Sequence, residues 1–135
     1  MIGSTVSHYR VIDKVGQGGM GEVYRAEDSN LHRQVAIKVL PEEFAENAER
    51  LARFQREAQV LATLNNPNIA AIYGLEELGP RRFIVMEFVE GESLTRVIAG
   101  AAPMEPVRTI HILRQILAAA AAAHGAGILH RDLKP

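Results

Sequence analysis

Three short segments of the sequence carry residue types whose spacing could serve chemistry on phosphate groups. The first runs from Gly16 to Val23 and has glycines in a G-x-G-x-x-G pattern. Glycines allow backbone N–H groups to approach phosphate oxygens closely. By itself the pattern is equally compatible with a glycine-rich hairpin that binds no ligand. A dinucleotide-binding fold is disfavoured, because a helix follows the glycines in that fold and a strand is predicted here.

The second segment is Val35–Lys38, in which a lysine follows apolar strand residues. An isolated lysine of this kind is usually an edge residue whose ammonium group reaches solvent. A second residue favours another role, because Glu57 falls within the apolar arc of a helix predicted over 42–64. A carboxylate on a buried helix face is costly unless it is paired. We therefore predict an ion pair between Lys38 and Glu57 that holds the lysine toward phosphate oxygens.

The third segment, His130–Pro135, places Asp132 after a long helix and a short apolar run. An aspartate in this position is compatible with simple turn chemistry. As a catalytic group, Asp132 would accept or orient the proton of an attacking hydroxyl group. Lys134, two residues later, could balance charge on a transferring phosphoryl group.

The elements that must position these segments follow from hydrophobic periodicity and turn residues. Five segments have strand character: 9–15, 22–26, 34–40, 69–75 and 82–89. One helix over 42–64 follows the third strand. A short helix capped by Ser93 and a long helix at Pro106–Ala123 follow the last strand. This order predicts the α+β class with a mostly antiparallel sheet.

Composition and charge exclude several classes of function. Hydrophobic residues make up 47% and charged residues 23% of the 135-residue chain, which is ordinary for a globular protein. A net charge of -1 provides no basic field for nucleic acid. The chain has no cysteine for disulfides or thiolate metal sites. The apolar stretch Ile110–Ala123 is shorter than the about 20 residues that a membrane span needs.

Together, the three segments resemble the signature set of protein kinases. The resemblance covers about Tyr9 to Pro135. Gly16–Val23 and Phe83–Val89 are most similar to bacterial serine/threonine kinases, and Lys134 after Asp132 is also typical of the serine/threonine branch. The resemblance implies ATP-dependent phosphoryl transfer to serine or threonine hydroxyl groups of proteins, with ATP and Mg²⁺ as cofactors. It also implies a cytoplasmic location for this part of the parent protein.

The implied fold is a kinase N-lobe, a five-stranded antiparallel sheet with an αC helix, followed by the first helices of an incomplete helical C-lobe. The expected boundaries are 1–8 for an N-terminal lead, 9–89 for the N-lobe and hinge, and 90–135 for the start of the C-lobe.

The resemblance implies a role for each matching residue at the phosphate end of the site. The nucleotide phosphates would lie under a loop made of Gly16, Gln17, Gly18, Gly19, Met20, Gly21, Glu22 and Val23. Lys38, held by Glu57, would contact the α- and β-phosphates. Asp132 would be the catalytic base, and Lys134 and Lys38 would assist the transfer.

At the base end of the site, the resemblance implies an apolar slot beside a hinge. Three side chains would sandwich the adenine ring: Val15, Val23 and Ala36. Met86 occupies the gatekeeper position. The main chain of Glu87 and Val89 would form hydrogen bonds with adenine.

The family pattern continues beyond Pro135, with a magnesium-binding asparagine and a later Asp-Phe-Gly segment. No metal ligand is therefore predicted within these residues, and the isolated chain is expected to be an inactive fragment. The apolar side of the helix 106–123 is expected to cause self-association. Two alternatives remain at this point: a truncated pseudokinase-like module that binds nucleotide or a partner, and an interaction domain without a ligand.

Overall fold

The computed structural model describes residues 1–18, 21–101 and 103–129, which form two compact units. The first unit comprises Met1–Thr63 and Ala70–Val89. The second comprises Leu64–Ile69 and the described residues from Glu90 onward. The domain boundaries expected from the sequence remain predictions. Within the described ranges, no helix combines the length and apolar character needed to cross a membrane.

The first unit is built on a six-stranded sheet in which every pair of neighbours is antiparallel. The strands are β1 (Thr5–Val6), β2 (Tyr9–Gly18), β3 (Gly21–Asp28), β4 (Arg33–Val39), β5 (Ile72–Leu78) and β6 (Arg81–Glu87), in the spatial order β1-β2-β3-β4-β6-β5. The α+β class and the antiparallel sheet are confirmed. The additional strand is β1, whose two residues are too few to show the alternation from which strands are predicted.

Strand alternation gives the sheet two distinct faces. The core face carries the buried cluster Val6, Tyr9, Val11, Tyr24, Ala26, Val35, Ile37, Phe83 and Val85. Val6 of β1 is only 1% exposed and Met1 packs against the cluster, so the N-terminal segment covers part of this face. The opposite face carries Ala36 and Lys38 and is called the site face below. Alternation along β4 therefore turns Val35, Ile37 and Val39 toward the core cluster.

Four helices complete the described structure: α1 (Glu42–Glu46), α2 (Ala48–Thr63), α3 (Leu94–Ala101) and α4 (Pro106–Gly125). The prediction of one continuous helix over 42–64 is wrong, because Asn47 separates α1 from α2. The Asn47 Oδ1 accepts a hydrogen bond from the Arg50 N–H at 3.0 Å, which caps the start of α2. The predicted cap of α3 is confirmed, since the Arg96 N–H donates to Ser93 Oγ at 3.4 Å.

Helix α4 presents an exposed apolar stripe in the second unit. Val107, Ile110, Leu113 and Leu117 are each at least half exposed. Their spacing of three or four residues places them along one side of the helix.

Candidate active site

The tip of the β2–β3 hairpin contains the predicted phosphate-binding glycines. Gly21 has φ +107°, and a Cβ atom there would lie 2.0 Å from the Val39 carbonyl oxygen. Gly21 is therefore required by both its backbone conformation and its contact with β4. A Cβ atom at Gly16 would meet nothing within 4 Å. No contact with described residues therefore requires glycine at position 16.

Two bulges interrupt the pairing of β2 with β3, between Val11 and Asp13 and between Lys14 and Gly16. Each bulge adds one unpaired residue to β2. The side chains after a bulge therefore lie on the opposite face of the sheet from the one that they would occupy in a regular strand. Val15 is the extra residue of the second bulge, and its side chain is about half exposed.

The structure brings four of the predicted site residues together on the site face. Val23 lies opposite Lys38, and Ala36 lies opposite Met86. Residues directly opposite each other in neighbouring strands share a face, and so do Ala36 and Lys38, which are two residues apart. The apolar side chains of Val23, Ala36 and Met86 therefore lie on the same face as Lys38.

Lys38 is a half-buried cation, and burial lowers the pKa of its ammonium group. The predicted ion pair with Glu57 is absent from the described residues. Instead, Arg53 Nε donates to Glu57 Oε1 at 3.2 Å, and the Glu57 side chain is 42% exposed. The expectation of a buried Glu57 carboxylate is therefore wrong. Arg53 lies one turn earlier on α2, so it pairs with Glu57 without desolvating either charge completely.

The hinge residue Glu87 is anchored to the segment before β5. The Glu87 N–H donates to the Ala71 carbonyl at 2.8 Å, and the Ala71 N–H donates to Glu87 Oε2 at 3.0 Å. The Glu87 N–H is therefore already engaged in a hydrogen bond. At this residue, a nucleotide base could form a main-chain hydrogen bond only with the Glu87 carbonyl. Val89 is exposed.

On the core face, a polar network that sequence reasoning missed joins the two strands of the hairpin. Lys14 Nζ donates to Gln17 Oε1 at 2.8 Å and to Glu22 Oε1 at 2.7 Å. The Tyr24 hydroxyl donates to Glu22 Oε2 at 2.6 Å. The hydrogen bonds from Lys14 and then Tyr24 lower the pKa of Glu22. The side chains of Gln17 and Glu22 are thus used within the hairpin.

A second missed cluster lies on the site face. Arg25 donates from Nε to Asp13 Oδ1 at 3.0 Å and from Nη2 to Asp13 Oδ2 at 2.7 Å. The guanidinium carbon of Arg25 is 5.9 Å from the centre of the Phe88 ring. The sequence offers no signal for this cluster, because the bulge that turns Asp13 toward Arg25 is defined only by strand pairing.

Several predicted residues lie outside the described part of the chain: Gly19, Met20, Asp132 and Lys134. Their roles therefore remain predictions. The residues that are described include no cluster of three or more His, Cys, Asp or Glu side chains able to hold a metal ion.

Comparisons with known proteins agree on one family. The protein kinase domain family matches residues 9–135. The chain is 41% identical to serine/threonine-protein kinase PknD of Mycobacterium tuberculosis over 134 residues and 44% identical to PrkC of Bacillus subtilis over 136 residues. It covers 99% and 100% of its own length in these matches, but only 20% and 21% of those two relatives.

Solved structures give the same result. The crystal structure of the M. tuberculosis PknI kinase domain has a TM-score of 0.88 and 32% sequence identity, covering 100% of this chain and 55% of that one. A structure of Rad53 in complex with AMP-PNP has a TM-score of 0.81 and 33% identity, covering 95% of this chain and 33% of that one. The chain belongs to the protein kinase domain family.

Proposed function

We propose that this chain is the nucleotide-binding part of a serine/threonine protein kinase, which transfers a phosphoryl group from ATP to hydroxyl groups of proteins. One observation carries the proposal: Lys38 is a half-buried cation with a lowered pKa and no acidic partner among the described residues. A buried charge is costly unless it is compensated. A polyphosphate would supply that compensation.

The surroundings of Lys38 fit ATP. Val23, Ala36 and Met86 line the same face and offer apolar contacts to a base. The open space at Gly16 admits a phosphate close to the backbone. The nucleotide-bound state of Rad53 and the names of the bacterial relatives support the same assignment.

The remaining site residues keep the roles that the family resemblance implies. Val15 would cover the base from the second bulge of β2, and the main chains of Glu87 and Val89 would hold its edge. Asp132 would accept the proton of the attacking hydroxyl group, and Lys134 would balance the charge on the transferring group. Bound Mg²⁺ would neutralise phosphate charge, and no described residue is assigned to it.

Glu57 has a conditional role in this proposal. It is paired with Arg53 in this structure, so contact with Lys38 requires its carboxylate to move away from that partner. Both side chains of the Arg53–Glu57 pair are partly exposed, and exposed pairs of this spacing contribute only about 0.3–0.5 kcal/mol. Exchanging Arg53 for Lys38 as the partner of Glu57 therefore costs little free energy.

Phosphate transfer in the natural full-length gene product tests the proposal. Labelled phosphate from ATP should appear on serine or threonine of a general protein substrate such as casein, and Lys38→Met should abolish the transfer. Transfer that persists in Lys38→Met at the wild-type rate would contradict the proposal. A cytoplasmic location belongs to the same proposal, because the substrate ATP is supplied there.

The apolar stripe on α4, formed by Val107, Ile110, Leu113 and Leu117, supports the expectation that the isolated 135-residue chain self-associates. Sedimentation equilibrium of that chain tests the expectation. Self-association that Leu117→Glu removes would support the stripe as the contact surface, and a monomer at all concentrations would argue against it.

A further inference from the structure

We propose that Arg25 is a positioning residue that fixes the hinge, defined as residues 87–89, against the stem of the glycine hairpin. Through this contact Arg25 would set the affinity of the site for the adenine base. The inference rests on the nucleotide site proposed above, and it concerns a residue to which neither the signature motifs nor the family resemblance assigned a role.

The first bulge of β2 places Asp13, the hydrogen-bond partner of Arg25, on the site face. Val11 pairs with Ala26 on the core face, but Asp13 pairs with Arg25 on the site face. In a regular strand Asp13 would share the face of Val11, because the two residues are two positions apart. The bulge at Ile12 therefore brings the Asp13 carboxylate to the side of the sheet that carries Lys38.

Asp13 holds the guanidinium group of Arg25 in one orientation. Two parallel hydrogen bonds, at 3.0 Å and 2.7 Å, join the two planar groups. Such bidentate contacts fix geometry as well as adding energy. The side chains of Arg25 and Asp13 are 32% and 46% exposed, so solvent screens part of their attraction, and the pair acts here mainly by fixing the orientation of Arg25.

The oriented guanidinium group reaches the hinge through Phe88. Its carbon lies 5.9 Å from the Phe88 ring centre, within the range of a cation–π contact. Phe88 lies between Glu87 and Val89, whose main chains are proposed to bind adenine. Ala71 holds Glu87 from the β5 side. The hinge is thus held from two directions, by Ala71 and by Arg25.

The register of the sheet places Arg25 beside the base site. Arg25 lies opposite Ala36, and Ala36 lies opposite Met86, so the three residues form one row across the site face. Hydrogen bonds to a base depend steeply on distance and angle. A hinge that is held less firmly would therefore bind adenine less tightly, even if the phosphate contacts at Lys38 are unchanged.

The chain contains a matched control for this contact. Arg10 and Glu27 also form an ion pair between β2 and β3, and they lie on the same face as Arg25. Among the described residues, Arg10 has no contact with the hinge, and its side chain is 66% exposed. Removing Arg10 thus removes a cross-strand ion pair without changing the support of Phe88.

The experiment compares Arg25→Ala, Arg25→Lys, Phe88→Leu, the double variant Arg25→Ala/Phe88→Leu and Arg10→Ala in the natural full-length gene product. Calorimetry gives the Kd for ADP, and steady-state kinetics give KM for ATP and kcat. We expect Arg25→Ala to raise Kd and KM by about threefold to tenfold, the range of a partly exposed cation–π contact, with little change in kcat. Arg25→Lys should recover only part of the loss, because lysine cannot form the bidentate contact. Arg10→Ala should match the wild type.

The double variant separates positioning from general stability. If Arg25 acts through Phe88, adding Phe88→Leu to Arg25→Ala should raise Kd no further than the larger single change does. Two outcomes in a protein whose wild type binds ADP would overturn the role of Arg25 but not the nucleotide site. One is additive losses of affinity in the double variant, and the other is equal Kd values for Arg25→Ala and Arg10→Ala. A wild-type protein that binds no adenine nucleotide would overturn the nucleotide site as well.

Discussion

Arg53 and Glu57 lie one turn apart on α2, with Arg53 Nε 3.2 Å from Glu57 Oε1. This pair leaves Lys38 without an acidic partner among the residues that the structure describes. The half-buried ammonium group therefore has no compensating negative charge among those residues, and burial lowers its pKa. In the proposed function, a nucleotide phosphate supplies the negative charge that Lys38 lacks.

The first prediction concerns Glu57 and its two possible partners. Arg53→Gln should release the Glu57 carboxylate toward Lys38. Because a Glu57 contact would hold the Lys38 ammonium group toward the phosphates, and this orientation should outweigh the charge that Glu57 compensates, the affinity for ADP should rise about twofold, the size of one exposed ion pair. Glu57→Gln should lower the affinity for ADP or leave that affinity unchanged. Arg56→Gln on the same helix is the control. Calorimetric titration gives the Kd values, and a loss of affinity in Arg53→Gln would contradict the exchange of partners.

The second prediction concerns pH. Nucleotide phosphates favour the charged form of Lys38, whose pKa lies below its ordinary value of 10.5. Affinity should therefore be constant below the lowered pKa and should fall as the pH rises through it, by at most about tenfold per pH unit. Lys38→Arg should remove this decline, because arginine stays charged. Kd values for ADP between pH 7 and pH 10.5 measure the effect. A flat wild-type profile would count against Lys38 as the phosphate partner.

The third prediction contrasts two glycines of the hairpin. Gly21→Ala should lower the free energy of unfolding by at least about 2 kcal/mol, because alanine is strained at φ +107° and its Cβ meets the Val39 carbonyl. Gly16→Ala should leave stability within about 0.5 kcal/mol, since its Cβ meets no described atom. The Gly16 variant should instead bind ADP more weakly. Urea unfolding of both variants checks the contrast, which equal destabilisation would refute.

The fourth prediction concerns the buried carboxylate of Asp28. Burial raises its pKa, but hydrogen bonds from the Leu31 and Asn30 N–H groups and the charges of His8 and Arg33 outweigh burial and lower it below 3.8. Stability from Asp28 is thus complete above the ordinary pKa and is lost as the pH falls through the lowered one. Asp28→Asn should be less stable at neutral pH and should lose less stability on acidification. Urea midpoints at pH 7 and pH 3 test this, and parallel acid losses in both proteins would contradict it.

Much of the fold follows from local patterns in the sequence. The alternation of Val35, Ile37 and Val39 predicts the correct faces of β4, and the Ser93 cap predicts the start of α3. Asn47 shows why the break between α1 and α2 was missed: apolar spacing on both sides continues across it, and the capping signal is a single residue.

The site was less predictable than the fold, because it depends on strand pairing and on competition between charges. The sequence placed Glu57 on an apolar helix arc but could not rank Lys38 against Arg53, which lies closer along the chain. The bulge that turns Asp13 toward Arg25 depends on how β2 pairs with β3. No residue near Asp13 in the sequence carries that information.

Equilibrium dialysis of ATP against the natural full-length gene product and its Lys38→Met variant measures how much Lys38 contributes to nucleotide binding. The variant removes the charge and retains a side chain of similar length. We expect saturable binding by the wild-type protein and at least about a tenfold loss of affinity in Lys38→Met, because one charge-assisted contact to phosphate is removed. Equal affinity in the two proteins, or no binding by the wild type, would contradict the assignment of Lys38 as the phosphate partner.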